Sequence, residues 1–134
     1  MIDRSVHNAM YNHAWKRLTD LSDHSTLHRG AVIRLKASLP YEEFVDFMVC
    51  ENYDADLGMS LIVISGYKAG LNAVSLPKRS EIGKEGSIGY VNVAWLRENW
   101  NEWVYSDCSV EDVFVLETAP PAEAPPQIST KKTV

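Results

Sequence analysis

One apolar run constrains the fold more than any other feature of the sequence. Residues 59–64 read Met-Ser-Leu-Ile-Val-Ile and directly follow Gly58. A run of this length that is rich in β-branched residues is typical of a strand buried on both faces. We therefore predict a central strand here, which places a sheet at the core of the fold.

A second strand is predicted at residues 31–36 from the alternation of the side chains. Ile33 and Leu35 fall on one face of this segment, and Arg34 and Lys36 fall on the other. The other predicted strands are residues 71–76, 88–93 and 113–116.

Three segments carry apolar residues three or four positions apart, the spacing of one helix face. They are residues 5–21 with Val6, Met10, Ala14, Leu18 and Leu21; residues 41–51 with Tyr41, Phe44, Val45 and Met48; and residues 95–105 with Leu96, Trp100, Trp103 and Val104. We expect the last stripe to pack on the sheet. Trp95 lies off that stripe, and the sequence leaves open whether it closes the core or anchors an interface.

These elements predict a single α+β domain over residues 1–117. It has a mainly antiparallel sheet of about five strands, an N-terminal helix and two further short helices. Residues 118–134 read TAPPAEAPPQISTKKTV, with four prolines and only isolated apolar residues. This composition predicts a disordered tail.

Charge and hydropathy exclude two classes of partner. The net charge is −5, whereas general nucleic-acid binding needs a cationic surface that displaces counterions from phosphates. No run reaches the ~18 apolar residues of a membrane span, and the first residues lack the apolar stretch of a secretory signal. We therefore expect a cytoplasmic protein that binds neither nucleic acid nor membranes.

The residues that most often carry chemistry are scattered. His24 and His28 have the i, i+4 spacing of two metal ligands on a helix, but the segment between them reads as a loop before Gly30. Cys50 and Cys108 lie in unrelated contexts and are expected to be thiols, although a bridge between them stays open. With no nucleophile elbow in the sequence either, we expect neither a metal or other cofactor nor enzymatic activity.

The distribution of acids is more informative. Between Lys36 and Lys68 the chain has six acids and no base. A negative patch of this kind speeds association with a cationic partner, although a merely solvated face is the alternative. We hypothesise that the partner-binding residues are Glu42, Glu43, Asp46, Glu51, Asp54 and Asp56.

Several motifs together resemble the immunity-protein-45 family of bacterial polymorphic toxin systems. The similarity covers roughly residues 11–117, and its most distinctive part is the tryptophan-rich stretch. The motifs are His28-Arg29-Gly30, the run Ser65-Gly66-Tyr67-Lys68-Ala69-Gly70-Leu71, Leu76-Pro77, and Trp95-Leu96-x-x-Asn99-Trp100-x-x-Trp103-Val104-Tyr105-x-Asp107-Cys108-x-Val110-Glu111-x-Val113.

The resemblance implies a protein that is encoded beside a toxin and that binds and neutralises it. We expect stoichiometric occlusion of the active site of this cognate toxin. Two other functions remain open, namely an effector chaperone or adaptor and a small enzyme that reverses a toxin's modification. The resemblance supplies no partner-binding residue, so the acidic surface rests on the charge pattern alone.

Overall fold

The computed structural model describes residues 14–81 and 89–126. Within these residues the chain forms eight strands, one α-helix and three short 3-10 turns. The strands are β1 (Lys16–Arg17), β2 (Thr26–Leu27), β3 (Val32–Lys36), β4 (Phe44–Cys50), β5 (Leu57–Val63), β6 (Asn72–Pro77), β7 (Val91–Asn92) and β8 (Phe114–Leu116). The helix is α1 (Val93–Trp103), and the turns are Leu18–Asp20, Lys78–Glu81 and Val110–Asp112.

Six of the strands form one antiparallel sheet in the order β1-β8-β3-β4-β5-β6, and β2 pairs with β7 in a separate ribbon. The predicted central strand is confirmed as β5, which lies between β4 and β6 and is buried along most of its length. Gly58 permits the close approach of β5 to the end of β6. A Cβ atom at this position would lie 2.7 Å from the carbonyl oxygen of Pro77.

The two faces of the sheet differ in chemistry because the strand residues alternate. On the inner face Ile33 lies opposite Phe47, and the two flanking strands, β8 and β5, add further apolar side chains. On the outer face Arg34 lies opposite both Asp46 and Phe114. The prediction of opposite faces for Ile33 and Arg34 is therefore confirmed.

Helix α1 contributes the rest of the core. Its residues Val93, Leu96 and Trp100 are completely buried, and they belong to the same core as the inner face of the sheet. The Arg97 guanidinium donates to the carbonyl oxygen of Leu18 at 3.1 Å and also binds the Asp23 carboxylate. These contacts fix the helix to the segment that follows β1.

The helix predicted at residues 41–51 is wrong, because this segment contains strand β4. Val45, Phe47 and Val49 are buried and alternate with side chains that are only half-buried. Strand β4 pairs with β3 on one side and β5 on the other. Pairing with the neighbouring strands along both edges therefore overrides the helical spacing that Tyr41 and its apolar neighbours also satisfy.

The predicted N-terminal helix at residues 5–21 is also wrong where the structure describes it. Residues 1–13 lie outside the described part, but Lys16–Arg17 is a strand and Leu18–Asp20 a 3-10 turn. The Leu18 backbone N–H donates to the carbonyl oxygen of Val113 at 2.9 Å, which ties this segment to the residue before β8. The fold is thus mostly antiparallel sheet, with one α-helix in the described residues rather than three.

The remaining predicted helix and strands keep their type with changed bounds. The helix predicted at residues 95–105 begins two residues earlier, at Val93. The strand predicted at residues 88–93 is reduced to Val91–Asn92, because Val93 starts the helix and Ile88 lies outside the described residues. Residues 118–126 have no helix or strand, and the disordered tail over residues 118–134 stays a prediction.

Candidate functional site

The sheet has two ends, and the predicted partner-binding acids are divided between them. One end, here the tip end, carries the β3–β4 connection at residues 37–43 and the β5–β6 connection at residues 64–71. The other, the far end, carries the β4–β5 connection at residues 51–56. Strand β4 has seven residues, so the two ends are about 20 Å apart.

Glu42 and Glu43 lie at the tip end. The Glu42 carboxylate accepts a hydrogen bond from the Tyr67 backbone N–H at 3.0 Å, so it joins the two connections of this end. Glu43 is exposed, and its carboxylate has no hydrogen bond or ion pair with any residue in the described ranges. Its backbone carbonyl accepts from the Ala37 N–H at 2.8 Å, which closes the β3–β4 connection.

Asp46 lies in the middle of the outer face and is already paired. The Nε and Nη2 atoms of Arg34 each donate to one carboxylate oxygen of Asp46 at 2.8 Å. This two-pronged hydrogen bond raises the pKa of Arg34 above its ordinary value, against the opposing effect of partial burial. The Arg34 guanidinium also stands 4.3 Å from the centre of the Trp15 ring, a cation–π arrangement.

Glu51, Asp54 and Asp56 lie at the far end. Glu51 forms an exposed ion pair with Arg29 at 3.2 Å. One carboxylate oxygen of Asp54 accepts from the Asp56 backbone N–H at 2.9 Å, which shapes the connection before β5. Both Asp54 and Asp56 are exposed. The structure therefore does not gather the six acids into one patch, and the role of each in partner binding stays a prediction.

The tip end has a second property that the sequence reasoning missed. Among the described residues, five of the six large hydrophobic side chains that are exposed lie on its two connections or the strand residue beside them. We call this set the apolar tip: Leu39 (90% exposed), Phe44 (55%), Ile64 (39%), Tyr67 (89%) and Leu71 (54%). The sixth, Tyr53, is fully exposed at the far end. A signal was present, since Tyr67 and Leu71 occur in a glycine-containing connection where polar residues are usual.

Hydrogen bonds hold the β5–β6 connection in one shape. The Ser65 hydroxyl accepts from the Asp46 N–H at 2.9 Å, and the Gly70 N–H donates to the carbonyl oxygen of Val63 at 2.6 Å. Gly66 has a φ of +68°, and a side chain there would collide with the Glu42 carboxylate. Glycine is therefore required at this position by the backbone, and any side chain there would displace the Glu42 carboxylate.

The tryptophans of α1 divide into a buried and a half-buried group. Trp100 is fully buried, as its place in the stripe predicts, and its Nε1–H donates to the carbonyl oxygen of Cys108 at 3.1 Å. Trp103 is half-buried and its ring centre lies 6.1 Å from that of Trp95. The Arg79 guanidinium lies over both rings. Trp95 also packs against the core, so it closes one side of it.

The remaining candidates for chemistry do not converge. His28 stacks on Tyr90 with 4.2 Å between ring centres, whereas His24 is exposed in the preceding turn. Within the described ranges no three His, Cys, Asp or Glu side chains group as metal ligands would. Cys50 and Cys108 are both free thiols, and burial raises the pKa of each above its ordinary value. No helix in these ranges is long and apolar enough to span a membrane.

Comparison with known proteins identifies the class to which this small antiparallel-sheet domain belongs, that of immunity proteins. The family model described as Immunity protein 45 matches residues 19–115, from the 3-10 turn after β1 to the middle of β8. The chain belongs to the Immunity protein 45 family. The match confirms the resemblance carried by the tryptophan-rich stretch. A search of curated proteins and a search of solved structures returned no match.

Proposed function

We propose that this protein binds a cognate toxin domain of a bacterial polymorphic toxin system and neutralises it by covering its active site. Binding would be one to one and would take place in the cytoplasm of the cell that produces both proteins. The observation that carries the proposal is family membership, since the family model matches nearly the whole sheet and all of α1. The protein would act through a surface and not through turnover.

The charge of the protein supports a cationic partner. Of the six acids between Lys36 and Lys68, Asp46 and Glu51 are paired with arginines, and Glu42 holds the connection of the tip end. Glu43, Asp54 and Asp56 are exposed, and their charges are available to steer a basic toxin. Steering of this kind acts on the association rate and weakens as salt screens the charges.

The decisive experiment is a titration of toxin activity. The toxin domain encoded by the adjacent gene is co-expressed with this protein, co-purified, separated under denaturing conditions and refolded. Toxin activity should then fall linearly as the protein is added and should vanish at one molecule per toxin. Loss of activity at much less than one equivalent would show an enzyme. A stable complex with undiminished toxin activity would show a chaperone, and the proposal would be rejected in either case.

Two charge reversals separate the ends of the molecule. Glu43→Lys changes the tip end and Asp56→Lys changes the far end, each at a carboxylate that has no hydrogen bond or ion pair with the described residues. The reversal that faces the toxin should slow association several-fold at low salt and less at high salt. Asp46 is unsuitable for this test, because its reversal would place two cations opposite each other on the outer face.

A further inference from the structure

The apolar tip lies at the upper end of what a monomeric surface normally exposes. A fully exposed large side chain presents roughly 150–250 Å², so five side chains that are 39–90% exposed present on the order of 600 Å². The largest apolar patch of an ordinary monomer is about 300–600 Å², and patches of that size are often functional. A stable interface buries about 800 Å² on each partner, so the tip with its polar margin has sufficient area.

Two of these side chains are neighbours on the outer face. The pairing of β4 with β5 continues beyond Val63, since the Ile64 N–H donates to the carbonyl oxygen of Asp46 at 2.9 Å. Phe44 and Ile64 are consequently diagonal neighbours on the same face of the sheet. Ile64 is also the first residue of the connection that carries Tyr67 and Leu71, and Tyr67 is the most exposed aromatic ring of this end.

The connection that presents Tyr67 is already ordered before any partner binds. Glu42 accepts the Tyr67 N–H, and the Leu71 N–H donates to the carbonyl oxygen of Lys68 at 3.1 Å within the same turn. A loop held in its binding conformation loses less conformational entropy on association. Tyrosine also has only two side-chain torsions, which is one reason it is frequent among the residues that dominate interface energies.

We propose that the apolar tip is the surface that enters the toxin, with Tyr67 as its central anchor and Glu42 as the residue that positions it. This inference rests on the proposed function. The complementary surface of the toxin is an apolar recess, since the four charged residues on and beside the two connections balance in sign. They are Lys36, Glu42, Glu43 and Lys68. The anchors set the dissociation rate, which should depend little on salt, while the exposed acids affect association.

The structure provides a matched control for the test. Tyr67 is 89% exposed at the tip end and Tyr53 is fully exposed at the far end, so replacing either with alanine removes the same group from opposite ends of the sheet. Binding of the purified toxin domain is measured by surface plasmon resonance at low and high salt. Tyr67→Ala should raise Kd roughly thirtyfold or more through faster dissociation at both salt concentrations. Tyr53→Ala should stay within about twofold of wild type.

The role of Glu42 is tested by a conservative pair. Glu42→Ala removes the acceptor of the Tyr67 N–H, whereas Glu42→Gln retains an oxygen that can accept it. Hydrogen exchange of the Tyr67 amide should accelerate in Glu42→Ala together with a loss of toxin affinity. Both properties should be largely restored in Glu42→Gln. Loss of affinity without a change in exchange would remove the positioning role.

The outcomes separate this inference from the proposed function. If the wild-type protein does not bind the toxin, the proposed function fails. If the wild type binds the toxin, and Tyr67→Ala and Phe44→Ala bind it as tightly as wild type does, the proposed function stands. The assignment of the apolar tip as the toxin-binding surface is then overturned. That assignment is also overturned if Tyr53→Ala is the variant that loses affinity. The same holds if sedimentation shows that the protein is a dimer that Tyr67→Ala converts to a monomer.

Discussion

Replacing Trp100 with alanine should remove a large part of the stability of the fold. Trp100 is fully buried in the core formed by α1 and the inner face of the sheet. Truncation of a buried aromatic side chain to alanine costs about 3–5 kcal/mol, against a total free energy of unfolding of about 5–15 kcal/mol for a natural domain. The carbonyl oxygen of Cys108 would keep a long hydrogen bond from the Asn101 side chain at 3.4 Å. Loss of the hydrogen bond from the Trp100 indole N–H to this oxygen therefore adds little to the free-energy cost of the cavity.

Urea unfolding followed by far-UV circular dichroism measures this cost without relying on tryptophan fluorescence. With a slope of roughly 1.5–2 kcal/mol per molar urea, the midpoint should fall by about 2 M. Trp103→Ala is the control, because the half-buried Trp103 side chain should cost less than half as much. Trp100→Phe should lie between wild type and Trp100→Ala. A Trp100→Ala protein that unfolds within about 1 kcal/mol of wild type would refute the assignment of Trp100 to the core.

Four further expectations concern other parts of the molecule. Asp46→Asn should lower the free energy of unfolding by about 1 kcal/mol, measured by urea titration, because it weakens the two-pronged pair with Arg34. Labelling with a thiol reagent at neutral pH should be slow at Cys108 and faster at the half-buried Cys50. Because folding raises the pKa of both thiols, the thiols of the unfolded chain ionise first as the pH rises. The free energy of unfolding should therefore be unaffected by them below about pH 8.5 and should fall above it. A protein truncated after Thr118 should keep its melting temperature and its protective activity, and a loss of several degrees would contradict the predicted disordered tail.

The sequence predicted those strands whose side-chain pattern had only one interpretation. Strand β3 was found by its alternation and β5 by its continuous apolar run. Strand β4 was missed because its apolar residues satisfy two periods at once, three to four along a helix and two along a strand. Only pairing with β3 and β5, the strands before and after it in the sequence, decides between them. The spacing of apolar residues within one segment contains no information on its pairing with other strands.

The error in β4 also changed the interpretation of the candidate site. A helix would have displayed Glu42, Glu43 and Asp46 together on one solvent-facing side. In the strand, Asp46 is instead engaged by Arg34, and the length of β4 carries Glu51 to the other end of the sheet. The six acids that are grouped in the sequence are therefore not grouped on the surface of the folded protein. The apolar residues of one connection, Tyr67 and Leu71, gave a partial signal, but the apolar tip as a whole was missed because it joins two connections that are separate in the sequence.

The order of strands determines where anything attached to the protein would be located. Strands β1 and β8 are neighbours, with Lys16 opposite Val115 and Leu116 opposite Val32 at the start of β3. The chain thus enters β1 and leaves β8 at the end of the sheet away from the β3–β4 connection. A fusion partner or sensor-chip linkage placed after β8 would hold the molecule by its far end. In that orientation Tyr67 lies at the end away from the support, and Tyr53 lies at the end nearest to it.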